Sequence, residues 1–226
     1  MPKIKSNSFQ RARQPAQIEQ RREAILRAAL ILFQRNGLEN VSLNDIAREV
    51  GLAKSNIYRY FESREHIYLV VLQRLAAQFE QRLYPALERL RGRGTVAKVT
   101  EVMVSAYLDS PEYGELITVV NSVLEKRLTP ALVVNFRSVF LERRKRLAAA
   151  LAAALAGATP EKLLPLTLHI FLHAPELWTF CFPRPDSRKL LDEPAHQHLK
   201  FEFKKEMTLF LRAILRDAVV PETARD

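Results

Sequence analysis

Residues 42–65 read Ser42-Leu43-Asn44-Asp45-Ile46-Ala47-Arg48-Glu49-Val50-Gly51-Leu52-Ala53-Lys54-Ser55-Asn56-Ile57-Tyr58-Arg59-Tyr60-Phe61-Glu62-Ser63-Arg64-Glu65. Ser42 can cap a helix, and Asp45 three residues on can return the bond in a variant of the capping box. That helix has room for about two turns of ~3.6 residues before Gly51. A tight turn at Gly51-Leu52 leads into a second short helix, predicted over 53–60. Ile57, with Leu52 and Phe61, would pack it inward, leaving Lys54, Ser55, Asn56, Tyr58, Arg59 and Tyr60 as polar groups. Two short helices joined by a Gly-containing turn are the layout of a helix-turn-helix, whose second helix enters the major groove.

Upstream, Ile18, Ile25, Ala28, Ala29, Leu32 and Phe33 recur at helical spacing from Gln17, and Asn36-Gly37 ends that helix. Residues 1–16 hold Lys3, Lys5, Arg11 and Arg13, no acid and little apolar content, and read as a flexible basic arm. Downstream, Ser63 caps a helix with an apolar stripe from Ile67 to Leu87, ended by Arg91-Gly92-Arg93-Gly94. Ser110-Pro111, Thr129-Pro130 and Thr159-Pro160 each place a hydroxyl before a proline suited to a first helical position. They predict helices of about 96–108, 111–127, 130–156 and 160–174. An irregular Pro-rich stretch, 175–194, precedes a last amphipathic helix at roughly 196–218.

The fold class is therefore all-α: an arm (1–16), a three-helix head with the helix-turn-helix (17–64) and a larger helical domain (65–226). The chain of 226 residues carries a net charge of +10 and an isoelectric point near 9.9, which favours polyanionic partners. Residues 1–64 hold 12 Lys and Arg against 6 Asp and Glu, so the excess gathers at the amino-terminal end. The single cysteine, Cys181, allows neither an internal disulfide nor a cysteine metal cluster. With no signal-like start and no apolar run of ~18 residues, the chain reads as soluble and cytoplasmic.

Phe33, Gly37, Ser42, Ile46-Ala47, Val50-Gly51, Lys54, Ile57-Tyr58, Tyr60-Phe61 and Ser63-Arg64-Glu65 stand in the order and spacing of the tetracycline-repressor (TetR) family signature. The resemblance covers about residues 20–72. It implies a homodimer whose amino-terminal helices bind double-stranded DNA at a palindromic operator, and whose remaining helices form a ligand-binding and dimerisation core. Ser42, Tyr58, Tyr60 and Arg64 are then candidate phosphate contacts. Lys54, Ser55, Asn56 and Arg59 are candidate base readers. Ser55 and Asn56 stand where the family often has Gly and Thr, and Arg64 where Lys is usual, so base preference is not transferable.

In the larger domain Tyr107, Tyr113, Asn121, His169, Phe171, His173 and Trp178 are the polar and aromatic groups that would orient a ligand in an apolar cavity. The resemblance implies a four-helix bundle across the dimer axis, made from 160–174 and 196–218. Phe203, Met207, Phe210 and Ile214 would face it, or would close the monomer. The run Arg143-Arg144-Lys145-Arg146 reads as a solvated helix face, with a second nucleic-acid or membrane surface as the alternative.

The leading reading is a dimeric repressor released by a small-molecule effector. An activator, or a regulator gated by a protein partner without a ligand, is the alternative. His169 and His173, four residues apart, keep a His-dependent metal enzyme as a remote third, but no acidic partner accompanies them. No nucleophile–base constellation or phosphate-cradling glycine loop is visible, so neither an enzyme nor a cofactor is expected.

Overall fold

The computed structural model describes residues 7–119 and 127–219, with side chains from residue 15 on. The described residues are helical apart from turns and a single bridge between Gly94 and Leu155. They form two compact units, Met1–Gln73 and Arg74–Asp226.

The first unit begins with α1 (Asn7–Asn36). Gly37, at φ 74°, ends it: its N–H bonds the carbonyl of Phe33 at 2.8 Å in a left-handed conformation that glycine adopts without Cβ strain. A 3₁₀ turn (Leu38–Asn40) leads to α2 (Leu43–Glu49), and a turn through Gly51 (φ 67°) leads to α3 (Lys54–Ile57). Ten residues expected to belong to the arm, 7–16, lie in α1 instead. Their Gln, Arg and Ala are good helix formers, and Pro15 is accommodated within the helix. Lys3 and Lys5 lie outside the described residues, as do the side chains of Arg11 and Arg13.

Ile25, Ala29, Phe33, Ile46, Ile57, Phe61, Ile67 and Tyr68 are all buried and form the core of this unit. Tyr68 sets its ring edge-on to Phe33, 6.2 Å between centroids, and donates its hydroxyl to the carbonyl of Ala29 at 3.1 Å. A buried phenol needs such a partner, and burial pushes its pKa well up, so it stays a neutral donor.

α4 (Arg64–Glu88) contributes residues 64–73 to the first unit and 74–88 to the second. The second unit continues with α5 (Val96–Leu108), α6 (Pro111–Val119), α7 (Pro130–Ala154), α8 (Pro160–Cys181), α9 (Pro185–Leu191), a 3₁₀ turn (Pro194–Leu199) and α10 (Phe203–Val219). Thr129 and Thr159 cap α7 and α8 through the N–H groups of Leu132 and Lys162, each followed by proline at the first helical position.

Two sequence expectations fail here. α8 does not stop before Pro175. Ala174, Pro175 and Trp178 are all buried, and that burial outweighs the helical hydrogen bond the proline cannot make. α10 begins at Phe203 rather than near 196, because 194–199 tighten into a 3₁₀ turn and Lys200 is extended.

The run 143–146 is also less solvated than expected. Arg144 donates to Thr167 Oγ1 at 3.3 Å and to the Leu164 carbonyl at 2.9 Å, fastening α7 to α8. Arg143 and Arg146 meet Glu80 of α4 at 3.5 and 3.4 Å, and Lys145 pairs with Glu142. Arg143 and Arg144 are thus taken up by helix packing, while Lys145 and Arg146 keep more than half of their side chains exposed, as a solvated helix face would. No described helix is long and apolar enough to cross a membrane.

Candidate DNA-binding site

α2 is fixed at its start by a reciprocal capping box. Asp45 N–H donates to Ser42 Oγ at 3.2 Å, while the Ser42 N–H donates to the Asp45 carboxylate at 2.9 Å. The Ser42 hydroxyl also donates to that carboxylate, at 2.6 Å, and these bonds hold the Asp45 pKa below the ordinary carboxylate value. Ser42 therefore spends its N–H and its hydroxyl proton on the cap, beside the Asp45 carboxylate.

α3 is a single helical turn. Its Ile57 is fully buried, and Lys54, Ser55 and Asn56 are exposed, as are Tyr58 and Arg59 just beyond it. One apolar anchor thus presents five polar side chains to solvent. Tyr58 is 53% exposed, whereas Tyr60 is half-buried.

Arg22, which the sequence reading passed over, holds this segment from behind. Its guanidinium donates to the Tyr60 carbonyl at 2.7 Å and lies 4.5 Å from the centre of the Phe61 ring. Nothing in the local pattern at Arg22 signals this, since the contact spans 38 residues. Arg48 on α2 was also passed over; it is largely exposed and paired with Asp45 at 2.6 Å.

Arg64 is not free to meet phosphate. Its guanidinium donates to the carbonyls of Val41 (2.7 Å) and Leu38 (3.2 Å) and pairs with Glu65 at 2.8 Å. With 14% of its side chain exposed, it is a brace for the loop ahead of α2, which corrects its assignment as a phosphate contact.

The candidate ligand residues of the second unit separate into distinct places. Tyr107, Tyr113 and Phe171 meet at an inner cavity of about 10 Å³, also lined by Phe79, Glu80, Leu83, Tyr84, Met103 and Leu147. Phe79 stacks on Tyr113 at 4.9 Å and lies 4.7 Å from Tyr107. Burial raises the pKa of both phenols, and burial with the nearby Glu80 pushes Tyr84 up to about 12.

Trp178 is core, flat against Gly114 and edge-on to Phe203 at 5.0 Å, and its indole N–H has no partner among the described residues. His169 is exposed, and His173 lies on the outside of α8 with its ring 4.0 Å from Phe210. Neither histidine lines the inner cavity, because four-residue spacing fixes a helix face and says nothing about which side is covered. Among the described residues no three His, Cys, Asp or Glu side chains converge as a metal would require. Asn121 lies outside the described residues.

Phe203 and Met207, candidates for a dimer interface, are buried inside this unit, Phe203 against Tyr107, Trp178 and Phe182. Phe210 and Ile214 lie on a second stripe of α10 that is only half-covered.

Comparison with known proteins agrees with this division. Residues 25–71 match the bacterial regulatory proteins of the tetR family, and residues 70–217 match the tetracyclin repressor-like C-terminal domain. Two HTH-type transcriptional regulators of Staphylococcus aureus are each 36% identical to the chain, over 64 residues (26% of this chain, 35% of that protein) and over 56 residues (25% and 30%). The chain thus spans about a third of the length of the curated relatives it matches.

Among solved structures, a transcriptional regulator from Rhodococcus sp. RHA1 aligns over 88% of this chain and 98% of its own, with TM-score 0.57 and 15% identity. A TetR-family regulator from Streptomyces coelicolor aligns over 88% and 99%, with TM-score 0.56 and 18% identity. At these identities the likeness is one of fold. With both halves matched, the chain belongs to the TetR family of bacterial regulatory proteins.

Proposed function

We propose that this regulator is a dimeric repressor that reads a palindromic operator in the cytoplasm and is released from it by a small-molecule effector. The observation that carries the DNA half of this reading is α3, where one buried isoleucine holds Lys54, Ser55 and Asn56, with Tyr58 and Arg59, outward. Lys54, Ser55, Asn56 and Arg59 are assigned to base edges and Tyr58 to phosphate, with Ser42 and Tyr60 at the margin of the contact.

Dimerisation is assigned to the outer faces of α8 and α10. Leu172, Phe180 and Leu209 are half or more exposed there, and His173, Leu177, Phe180, Phe201, Glu206, Leu209 and Phe210 line a groove of about 420 Å³. Apolar side chains gathered on one face of a monomer call for a partner, and a second copy makes the contact self-complementary. Two copies would set two α3 segments on half-sites roughly one DNA turn apart.

The effector half rests on the aromatic inner cavity and on α4, whose residues serve both units. A ligand releases DNA only if it binds the two states with different affinity. The small size of that cavity favours the second reading, an activator or a regulator gated by a protein partner with no ligand.

The test is selection of bound sequences from a random DNA pool by purified protein, at one stated salt concentration, since phosphate contacts make affinity salt-dependent. A palindromic motif supports a dimeric, sequence-specific regulator. Salt-sensitive binding with no enriched motif would refute the assignment of base readers.

A further inference from the structure

α3 is one helical turn, too short to hold its own direction, and Ala53 at its start supplies no side-chain cap. Beyond it the chain turns inward, the Tyr60 and Phe61 N–H groups both bonding the Ile57 carbonyl, at 2.9 and 3.1 Å. Ile57 and Phe61 are buried and root the segment in the core of the first unit. Apolar burial is not directional, so two such anchors resist withdrawal of the segment better than rotation about the line that joins them. A directional bond is needed to fix that rotation.

Arg22 supplies one. It continues the buried stripe of α1, formed by Phe33, Ala29 and Ile25, one turn further toward the amino terminus. Its Nη1 donates to the Tyr60 carbonyl at 2.7 Å while its guanidinium stands 4.5 Å from the centre of the Phe61 ring. Glu19, one turn away on α1, meets its Nε at 3.8 Å. A planar guanidinium that engages a carbonyl, a ring face and a carboxylate together has little freedom to turn. The carbonyl it holds is one residue from Arg59 and two from Tyr58, so its position carries over to both side chains.

We propose that Arg22 is a positioning residue for sequence recognition: by fixing the Tyr60 carbonyl and the Phe61 ring from inside the head, it aims Arg59 at the base edges. This rests on the assignment of Arg59 to base reading above. The expected consequence is for discrimination more than for affinity. A long cation can follow a displaced phosphate, whereas a hydrogen bond to a base edge weakens steeply outside about 2.7–3.2 Å.

The experiment compares wild type, Arg22→Gln, Arg59→Ala and the double variant, each full-length, by competition between the DNA motif enriched by the wild type and unrelated DNA. Glutamine carries no charge for the ring and is too short to reach the carbonyl. Arg22→Gln is expected to lose about tenfold in the ratio of the two affinities, the size of one misplaced base contact. The salt slope on unrelated DNA should stay unchanged. In the Arg59→Ala background the same substitution should cost less than about threefold, because the residue it aims is already gone. If Arg22→Gln does not fold, Phe61→Leu, which keeps the core filled and removes the ring face, takes its place with a loss of about threefold expected.

An unchanged ratio in the folded variant would overturn the proposal, and so would the full tenfold loss in the Arg59→Ala background. A shallower salt slope with equal loss on both DNAs would overturn it too, and make Arg22 a phosphate contact. A wild type that enriches no motif would refute the assignment of base readers and this proposal with it, whereas an enriched motif read equally well by Arg22→Gln would overturn this proposal alone.

Discussion

The Arg64 guanidinium, at the first residue of α4, donates to the carbonyl of Val41 at 2.7 Å, 23 residues upstream. With its second bond to Leu38, it closes the loop that delivers the chain to α2. Removing it takes the side-chain donor from the Val41 carbonyl and leaves Leu38 only its bond from the Val41 N–H, in a partly buried place. Arg64→Gln is expected to cost about 1–3 kcal/mol of stability, read by denaturant titration. The salt slope of DNA affinity should stay unchanged, whereas Lys54→Gln or another lost DNA-facing cation should change the affinity and not the stability. A changed salt slope in Arg64→Gln would return Arg64 to the phosphate contacts.

Asn56 and Arg59 are exposed and carry the side chains best suited to adenine and guanine edges. Asn56→Ala and Arg59→Ala should each lose about 1–3 kcal/mol of discrimination between operator and unrelated DNA, with the fold intact. Competition binding at constant salt measures this. Unaltered discrimination in both variants would move base reading elsewhere on the head.

Gly114 on α6 has no room for a side chain. A Cβ built there would lie 2.5 Å from the Trp178 ring, and that indole is boxed in by Phe182 and Phe203. Gly114→Ala should destabilise by about 1–3 kcal/mol through overpacking, despite alanine's higher helix propensity. Trp178 is the only tryptophan in the chain, so its fluorescence reports the displacement directly.

His66 has a lowered pKa, first because burial disfavours its charged form and then because of Arg22, with Glu62 acting the other way. Its Nδ1 accepts from the Glu62 N–H at 3.3 Å, which requires that nitrogen unprotonated. A depressed folded pKa means the unfolded chain binds the proton more readily. Stability from this group is therefore full above pH 6.5, the ordinary value, and is lost as pH falls below it. Thermal melts from pH 7.5 to 5.0 should show a steeper decline in wild type than in His66→Gln; parallel curves would remove His66 as the cause.

Leu209 and Phe210 lie on the outer stripe of α10, and Met207 on its inner one. If α8 and α10 form the dimer face, Leu209→Asp should weaken self-association at least about tenfold, as expected when a charge enters an apolar contact, and leave the subunit folded. Met207→Ala should cost about 2–5 kcal/mol of subunit stability with little effect on association. Sedimentation equilibrium with a parallel melt separates the two; the reverse pattern would place the interface elsewhere.

The features legible in the sequence are those decided within a few residues. The capping box of Ser42 and Asp45, the hydroxyl caps at Thr129 and Thr159, and the left-handed glycines 37 and 51 all rest on bonds or conformations spanning at most four positions. Together with helical periodicity they suffice for an all-α chain with a helix-turn-helix, and for naming Lys54, Ser55, Asn56, Tyr58 and Arg59 as a polar face around Ile57.

What the sequence left open depends on which side of a helix finds a neighbour. α10 carries two apolar stripes. The one holding Phe203 and Met207 is buried against Tyr107 and Trp178 while the one holding Phe210 is not, and periodicity alone treats them alike. Tyr113 and His173 look equally suited to a pocket, yet one meets the inner cavity and the other the outer groove. Arg64, Arg22 and Glu80 acquire their roles from partners 23, 38 and 66 residues away. Local chemistry fixes where helices start and stop because its bonds are short-range in sequence; tertiary packing alone decides which charges become braces, because only the folded chain brings those partners within a hydrogen bond's length.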